Sequence, residues 1–245
     1  MNDAAAVASE VADLVLEEAL RQPRRPLGLA TGRTMEPVYA ALARRFAQLP
    51  PRQADRVRQG WLSYNLDEYV GLDPADPRGF TAVMDRLLVR PLGLDPQRVR
   101  LPQAGTADPA AAARRYGADL ERHGGIGVQL LGLGLNGHVA FNEPPSGPAT
   151  RCRCVRLRRS TRLQNAQDFG GDPDAVPERA ITLGMAEILA AERILLVVTG
   201  AAKAEVLRRA LQEPPTPELP ASWLQRHPAL SLHADAAARG EGRRR

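Results

Sequence analysis

Short apolar runs of strand length recur along this chain, and between them lie stretches long enough for one helix each. Residues 26–31, 61–66, 99–101, 128–133 and 194–198 read as strands, 26–31 short and buried and 128–133 strongly apolar. Helical spacing marks residues 3–21, where Val7, Val11, Leu14, Val15 and Ala19 fall on one face. Further helices are expected at 35–46, 79–90, 108–122, 182–191 and 202–212. The one at 108–122 opens on Asp108-Pro109, a capping residue followed by a proline suited to the first helical turn. Residues 149–158 are expected to form a strand and the polar residues 159–180, with their glycines and prolines, a mobile segment. A proline-rich connection at 213–220 leads to a last short helix and a strand at 229–232. Strands that alternate with helices of about 10–15 residues build a parallel sheet covered on both faces. The expected class is α/β, with a mostly parallel Rossmann-like sheet.

A chain of 245 residues buries roughly three quarters of its unfolded surface, so no disulfide or metal is needed to hold it. No apolar run approaches the ~18 residues that span a bilayer, and no membrane partner is expected. Asp3, Glu10, Asp13, Glu17 and Glu18 make the first twenty residues unlike a signal or transit peptide. Cys152 and Cys154, two apart on an extended segment, are poorly placed to bridge each other. Without a second cysteine pair or a nearby histidine, no metal is expected there. Free thiols predict a reducing, cytoplasmic setting. The net charge is +5, and of 33 basic residues only Lys203 is a lysine. Arg151, Arg153, Arg156, Arg158 and Arg159 form a basic run without interleaved aromatics. It reads as a solvated edge rather than a nucleic-acid surface, and no nucleic-acid partner is expected.

Ligands of such sheets bind at the carboxyl ends of the strands, which directs attention to four loops. The first, Thr31-Gly32-Arg33-Thr34, opens a helix whose free N–H groups can hold a phosphate, although on these residues alone an ordinary strand–helix turn is the preferred reading. The second, Asn65-Leu66-Asp67-Glu68-Tyr69, offers two carboxylates; a general base and a pair of solvated or capping acids are both open readings. The third runs from Leu131 through glycines to His138 and on to Glu143. His138 titrates near neutrality and passes protons both ways. The fourth places Lys203, a point charge suited to a phosphate monoester, just after a buried strand.

Asn65-Leu-Asp67-Glu-Tyr-Val-Gly-Leu72, Gly134-Leu-Asn-Gly-His138-Val-Ala-Phe-Asn-Glu143-Pro144 and Thr199-Gly-Ala-Ala-Lys203 resemble the glucosamine-6-phosphate deaminase (isomerising) family, from about residue 8 to 236. The related 6-phosphogluconolactonases are similar in the Gly-x-x-Gly-His core but typically continue toward Ser-Leu-Phe-Pro. The resemblance implies one domain over residues 1–238 with a lid at about 150–180, followed by a disordered basic tail at 239–245. It implies conversion of glucosamine 6-phosphate to fructose 6-phosphate and ammonia, with a phosphosugar as the small-molecule partner and neither metal nor organic cofactor. His138 would open the sugar ring, Asp67 would move the C2 proton to C1, and Glu143 would hold and tune the histidine. Asn136 stands at the family's remaining catalytic position, where an aspartate is common. Lys203 and the loop of Thr31, Gly32, Arg33 and Thr34 would bind phosphate. Glu68, Gly137 and Arg153 are further expected substrate contacts, Arg153 near the entrance.

Three departures from the family pattern carry expectations of their own. Asn136 orients an imidazole without stabilising its cation, which predicts a lower histidine pKa. Gln167 stands where the family's Thr-Arg-x-x-Asn-x-Arg pattern places an arginine, and Arg33 occupies a turn commonly written Thr-Gly-Ser-Thr-Pro. The two changes are expected to be linked, Arg33 supplying the cation that position 167 lacks. The short C-terminus predicts a non-allosteric monomer or small homo-oligomer. The alternatives are a 6-phosphogluconolactonase-type hydrolase, a deaminase of galactosamine 6-phosphate, which differs only at C4, and a non-catalytic sugar-phosphate sensor.

Overall fold

In the computed structural model, which describes residues 3–241, the Asp3 side chain accepts the Ala6 N–H and caps the first helix, α1 (Ala4–Arg21). Val7, Val11 and Val15 form its buried face. The chain continues through β1 (Leu27–Leu29), α2 (Glu36–Ala47), α3 (Pro51–Gly60), β2 (Ser63–Asn65) and β3 (Asp67–Tyr69). Next come α4 (Phe80–Met84), α5 (Arg90–Leu92), β4 (Val99–Arg100), α6 (Pro109–Arg122) and β5 (Val128–Gly132). After these follow β6 (Arg153–Arg156), α7 (Arg159–Asn165), β7 (Arg179–Thr182) and α8 (Met185–Leu189). The last elements are β8 (Arg193–Val198), α9 (Ala204–Gln212) and β9 (Leu230–Ala234). A π-helical turn, Asp85–Val89, joins α4 to α5. It lies just before Pro91, whose missing N–H and bulky ring disrupt the regular ladder.

Six strands form a parallel sheet in the order β4-β2-β1-β5-β8-β9. The chain starts at β1, winds outward through β2 and β4, then returns to β5 beside β1 and winds outward the other way. This is the doubly wound order, and its switch point lies between β1 and β5. Gly28 pairs with Tyr64 on one side and Gln129 on the other, and the register continues to Ile194 and Leu230. Tyr64 bonds Asp119 of α6, so α6 covers that face. His233, three residues past Leu230 and hence on the opposite face, meets Glu10 of α1. The sheet is thus covered on both faces, as expected.

A second, antiparallel sheet in the order β3-β7-β6 lies beyond the carboxyl ends of this one. It has a small core of its own, with Tyr69, Phe141, Leu157, Phe169 and Val176 buried together. The crossing point is Leu66, whose N–H donates to Leu29 O at 2.9 Å and whose carbonyl accepts the Leu183 N–H at 2.7 Å.

Several expectations are corrected. The reading of 61–66 as one strand with a following loop gives way to two strands in two sheets, β2 and β3. The helix expected at 182–191 is the end of β7 and then α8; Ala180, Ile181 and Thr182 are all buried, which erases the alternation that marks a strand. Residues 159–180, expected to be a mobile segment, contain α7, the 3-10 turn Ala166–Phe169 and the start of β7. No helix was expected over α3, which buries only Ala54 and Val57 and so lacks an apolar stripe. The expected disordered tail begins in an ordered turn, Arg239 donating from its backbone to Asp235 O and from Nε to Ala234 O. Residues 242–245 of that tail lie outside the described residues.

Candidate active site

A crevice of about 300 Å³ opens at the carboxyl edge of the parallel sheet, at the switch point. Ala30 to Met35 after β1, Gly132 to Leu135 after β5, and Lys203 after β8 line one part of it. Asp67 and Tyr69 of β3, with Phe80 and Phe141, line another. Gln164, Asn165 and Asp168 come over from α7 and the turn after it.

His138 is held by Asn136. The Asn136 Oδ1 accepts the His138 backbone N–H at 3.2 Å and lies 2.5 Å from Nδ1. The backbone bond fixes the oxygen, not the amide nitrogen, toward the ring. Nδ1 therefore carries the proton and donates, and the Nε2 lone pair of the neutral ring is free. Burial, followed by the charge of Lys203, pushes the His138 pKa down to about 4. Neither cause is the amide at 136 from which a lower pKa is expected. The ring rests on Gly134, where a Cβ would come within 2.4 Å of all three nearest ring atoms, so a side chain at 134 would displace it.

Asp67 is only 6% exposed, and no hydrogen bond reaches its carboxyl among the described residues. Burial, then the neighbouring Glu68, raises its pKa to about 8. Lys203 donates from Nζ to Leu133 O at 2.7 Å. Burial and then Arg33 lower its pKa to about 8. Two cations that disfavour each other in a partly buried site are relieved by an arriving dianion. The Arg33 guanidinium also touches Gln167 Oε1 at 2.5 Å, so the two positions expected to be linked are in direct contact.

The structure does not bring every expected residue to the crevice. Glu68 turns away from it and caps α4, its carboxylate accepting from the backbone of Tyr69, Phe80 and Thr81 and from Thr81 Oγ1. Arg153 is not at the entrance either; it braces the loop after His138 by donating to Asn142 Oδ1 at 2.8 Å and to Ser146 Oγ at 3.3 Å. Gly137 serves a turn: its φ is +83°, and a Cβ there would strike Leu219 rather than face a ligand. Glu143 makes no bond to His138 among the described residues. Its Oε2 accepts the Arg158 N–H at 2.8 Å and its Oε1 is buried without a partner. The expectation that Glu143 holds the histidine is replaced by Asn136 in that place.

Sequence reasoning missed Asp235, Asn165 and Asp168. Asp235, at the end of β9, accepts the Gly200 N–H on both carboxylate oxygens and so shapes the turn that presents Lys203. The rule that strand ends carry ligands applies to β9 as well and would have found it. Asn165 donates to Tyr69 Oη at 2.9 Å, a contact across 96 residues that no local pattern announces.

Fold and crevice together define an α/β enzyme domain built for acid–base chemistry on a small anionic ligand. The family described as glucosamine-6-phosphate isomerases/6-phosphogluconolactonase matches residues 2–232, and the chain belongs to that family. A curated relative from Rhodopirellula baltica, named glucosamine-6-phosphate deaminase, is 41% identical over 243 residues, covering 96% of this chain and 92% of its own. One of the same name from Streptomyces coelicolor is 39% identical over 96% of this chain and 88% of its own. A solved structure of a monomeric glucosamine-6-phosphate deaminase superposes with a TM-score of 0.89 at 32% identity, over 98% of this chain and 97% of that one. A Trypanosoma brucei 6-phosphogluconolactonase reaches 0.76 at 17% identity, over 99% of this chain and 97% of its own, and shares the fold.

Proposed function

We propose that this chain is a glucosamine-6-phosphate deaminase that yields fructose 6-phosphate and ammonia. The observation that carries the reading is the buried, unpartnered carboxyl of Asp67 in the same crevice as the free Nε2 of His138. A carbon acid needs a base with little solvent around it, whereas lactone hydrolysis needs none at this position. In the proposed sequence Nε2 of His138 takes the anomeric hydroxyl proton and returns it to the ring oxygen, opening the ring. Asp67 in its ionised form removes the C2 proton and delivers it to C1. The resulting ketose imine adds water at C2, and ammonia leaves. Asn136 keeps the imidazole in the required tautomer. Lys203, Arg33 and the Thr31–Thr34 loop take the phosphate, and Glu143 acts on the loop rather than on the ring.

The segment at about 150–180 would act as a lid, as the bonds from Leu135 N to Gln164 and from Arg33 to Gln167 support. We place the enzyme in the cytoplasm as a monomer or small homo-oligomer. The test is ammonia release from glucosamine 6-phosphate, with Asp67→Asn alongside. Release by the wild type, with solvent hydrogen exchange at C2, and loss of both in the variant are expected. Binding of the phosphosugar without release or exchange overturns the reading.

A further inference from the structure

One carboxylate at the crevice has no role in that chemistry. Asp168 is exposed, lines the crevice, and has no hydrogen-bond or ion-pair partner among the described residues. Its backbone is nevertheless well fixed. Asn165 before it donates to Tyr69 Oη, Gln167 meets Arg33, and the Phe169 ring sits edge-on to Tyr69 with centroids 5.5 Å apart. The crevice charges fall into two groups. Arg33 acts on Lys203, and Lys203 on His138. Asp67 and Asp168 both act on Tyr69, whose hydroxyl pKa is raised chiefly by burial. The carboxylate group contains the 6%-exposed, unpartnered Asp67. A ligand complementary to both groups carries an anion at one end and a cation beside the reacting carbon.

We propose that Asp168 is a specificity residue that holds the cationic 2-amino group of the substrate, selecting amino sugars over sugars with a hydroxyl at C2. The proposal rests on the phosphosugar reading above and adds a residue to it. An ammonium–carboxylate pair at an exposed rim gives up to roughly fivefold selection.

The test uses two ligands that cannot react, 2-amino-2-deoxyglucitol 6-phosphate and glucitol 6-phosphate, which differ only in the amine. Their dissociation constants are measured by calorimetry on the wild type, Asp168→Asn and Asp168→Glu. The wild type is expected to prefer the amine, and Asp168→Asn to reduce that preference by up to roughly fivefold. Binding of glucitol 6-phosphate stays unchanged in Asp168→Asn, which also reports that the variant is folded, and Asp168→Glu restores part of the preference. A preference retained in Asp168→Asn, or absent in the wild type, overturns the proposal while ammonia release leaves the deaminase reading standing. Failure of the wild type to bind either ligand overturns both.

Discussion

Asp67 is expected to make the protein less stable as pH rises. Its carboxyl is buried without a hydrogen bond, and burial followed by Glu68 raises its pKa from 3.8 to about 8. Between those values the folded protein holds a proton that the unfolded chain has released. Stability therefore falls as pH rises from about 4, and the loss is complete above about 8. Each pKa unit is about 1.4 kcal/mol, so the total is on the order of 5 kcal/mol. That is a large share of the ~5–15 kcal/mol that holds a domain together. Asparagine is uncharged at every pH, so Asp67→Asn removes the loss. Urea unfolding of the ligand-free protein between pH 4 and 9.5 measures it. Apart from a constant offset, the stability of the variant relative to the wild type is expected to climb through pH 5–7 and level off above about pH 8. The same substitution is expected to abolish ammonia release, so that stability is gained where activity is lost. If the two stability curves run parallel across the whole range, Asp67 titrates normally and the argument for a poised carbon base fails.

Asn136→Asp places a carboxylate where Oδ1 now lies 2.5 Å from Nδ1. It should raise the His138 pKa from about 4 by ~1–3 units, read by NMR titration of the ring; an unmoved titration refutes control through this contact. Arg33→Ala is expected to raise the Michaelis constant for the phosphosugar by roughly 10- to 150-fold, the worth of one charge-assisted bond of ~1.5–3 kcal/mol; an unchanged constant shows that Arg33 does not replace the cation missing at 167. Gly134→Ala should lower kcat by about a hundredfold or more while leaving far-UV dichroism intact, because the added methyl collides with the His138 ring and misplaces it.

The central strands of the parallel sheet were legible because their residues are largely buried on both faces and mostly apolar, as in Val128–Gly132 and Arg193–Val198. The crevice followed from them, since strand ends at a switch point collect ligands. The antiparallel sheet was not legible. Asp67–Tyr69 is three residues long and holds two acids, and it pairs with β7, more than a hundred residues away. The acids at 67 and 68 illustrate the limit further. Sequence offered one description for both, base or capping acid, and the structure divides it: Asp67 faces the crevice unpartnered, while Glu68 accepts four hydrogen bonds. Alternation along a strand makes that division, but only once the strand is known to exist.

The two sheets also divide the chemistry. His138 follows β5 and Lys203 follows β8, so both are carried by the parallel sheet. Asp67 lies in β3, and Asp168 lies between β6 and β7, so both carboxylates ride on the antiparallel sheet and its small core. The sheets are joined at Leu66 by one backbone bond to each. Phe141, three residues past His138, is buried in the small core and its N–H donates to Thr182 Oγ1, so the loop that carries the histidine is tied to both sheets. The proposed ligand, with a phosphate at one end and an ammonium at the other, would take contacts from both sheets at once.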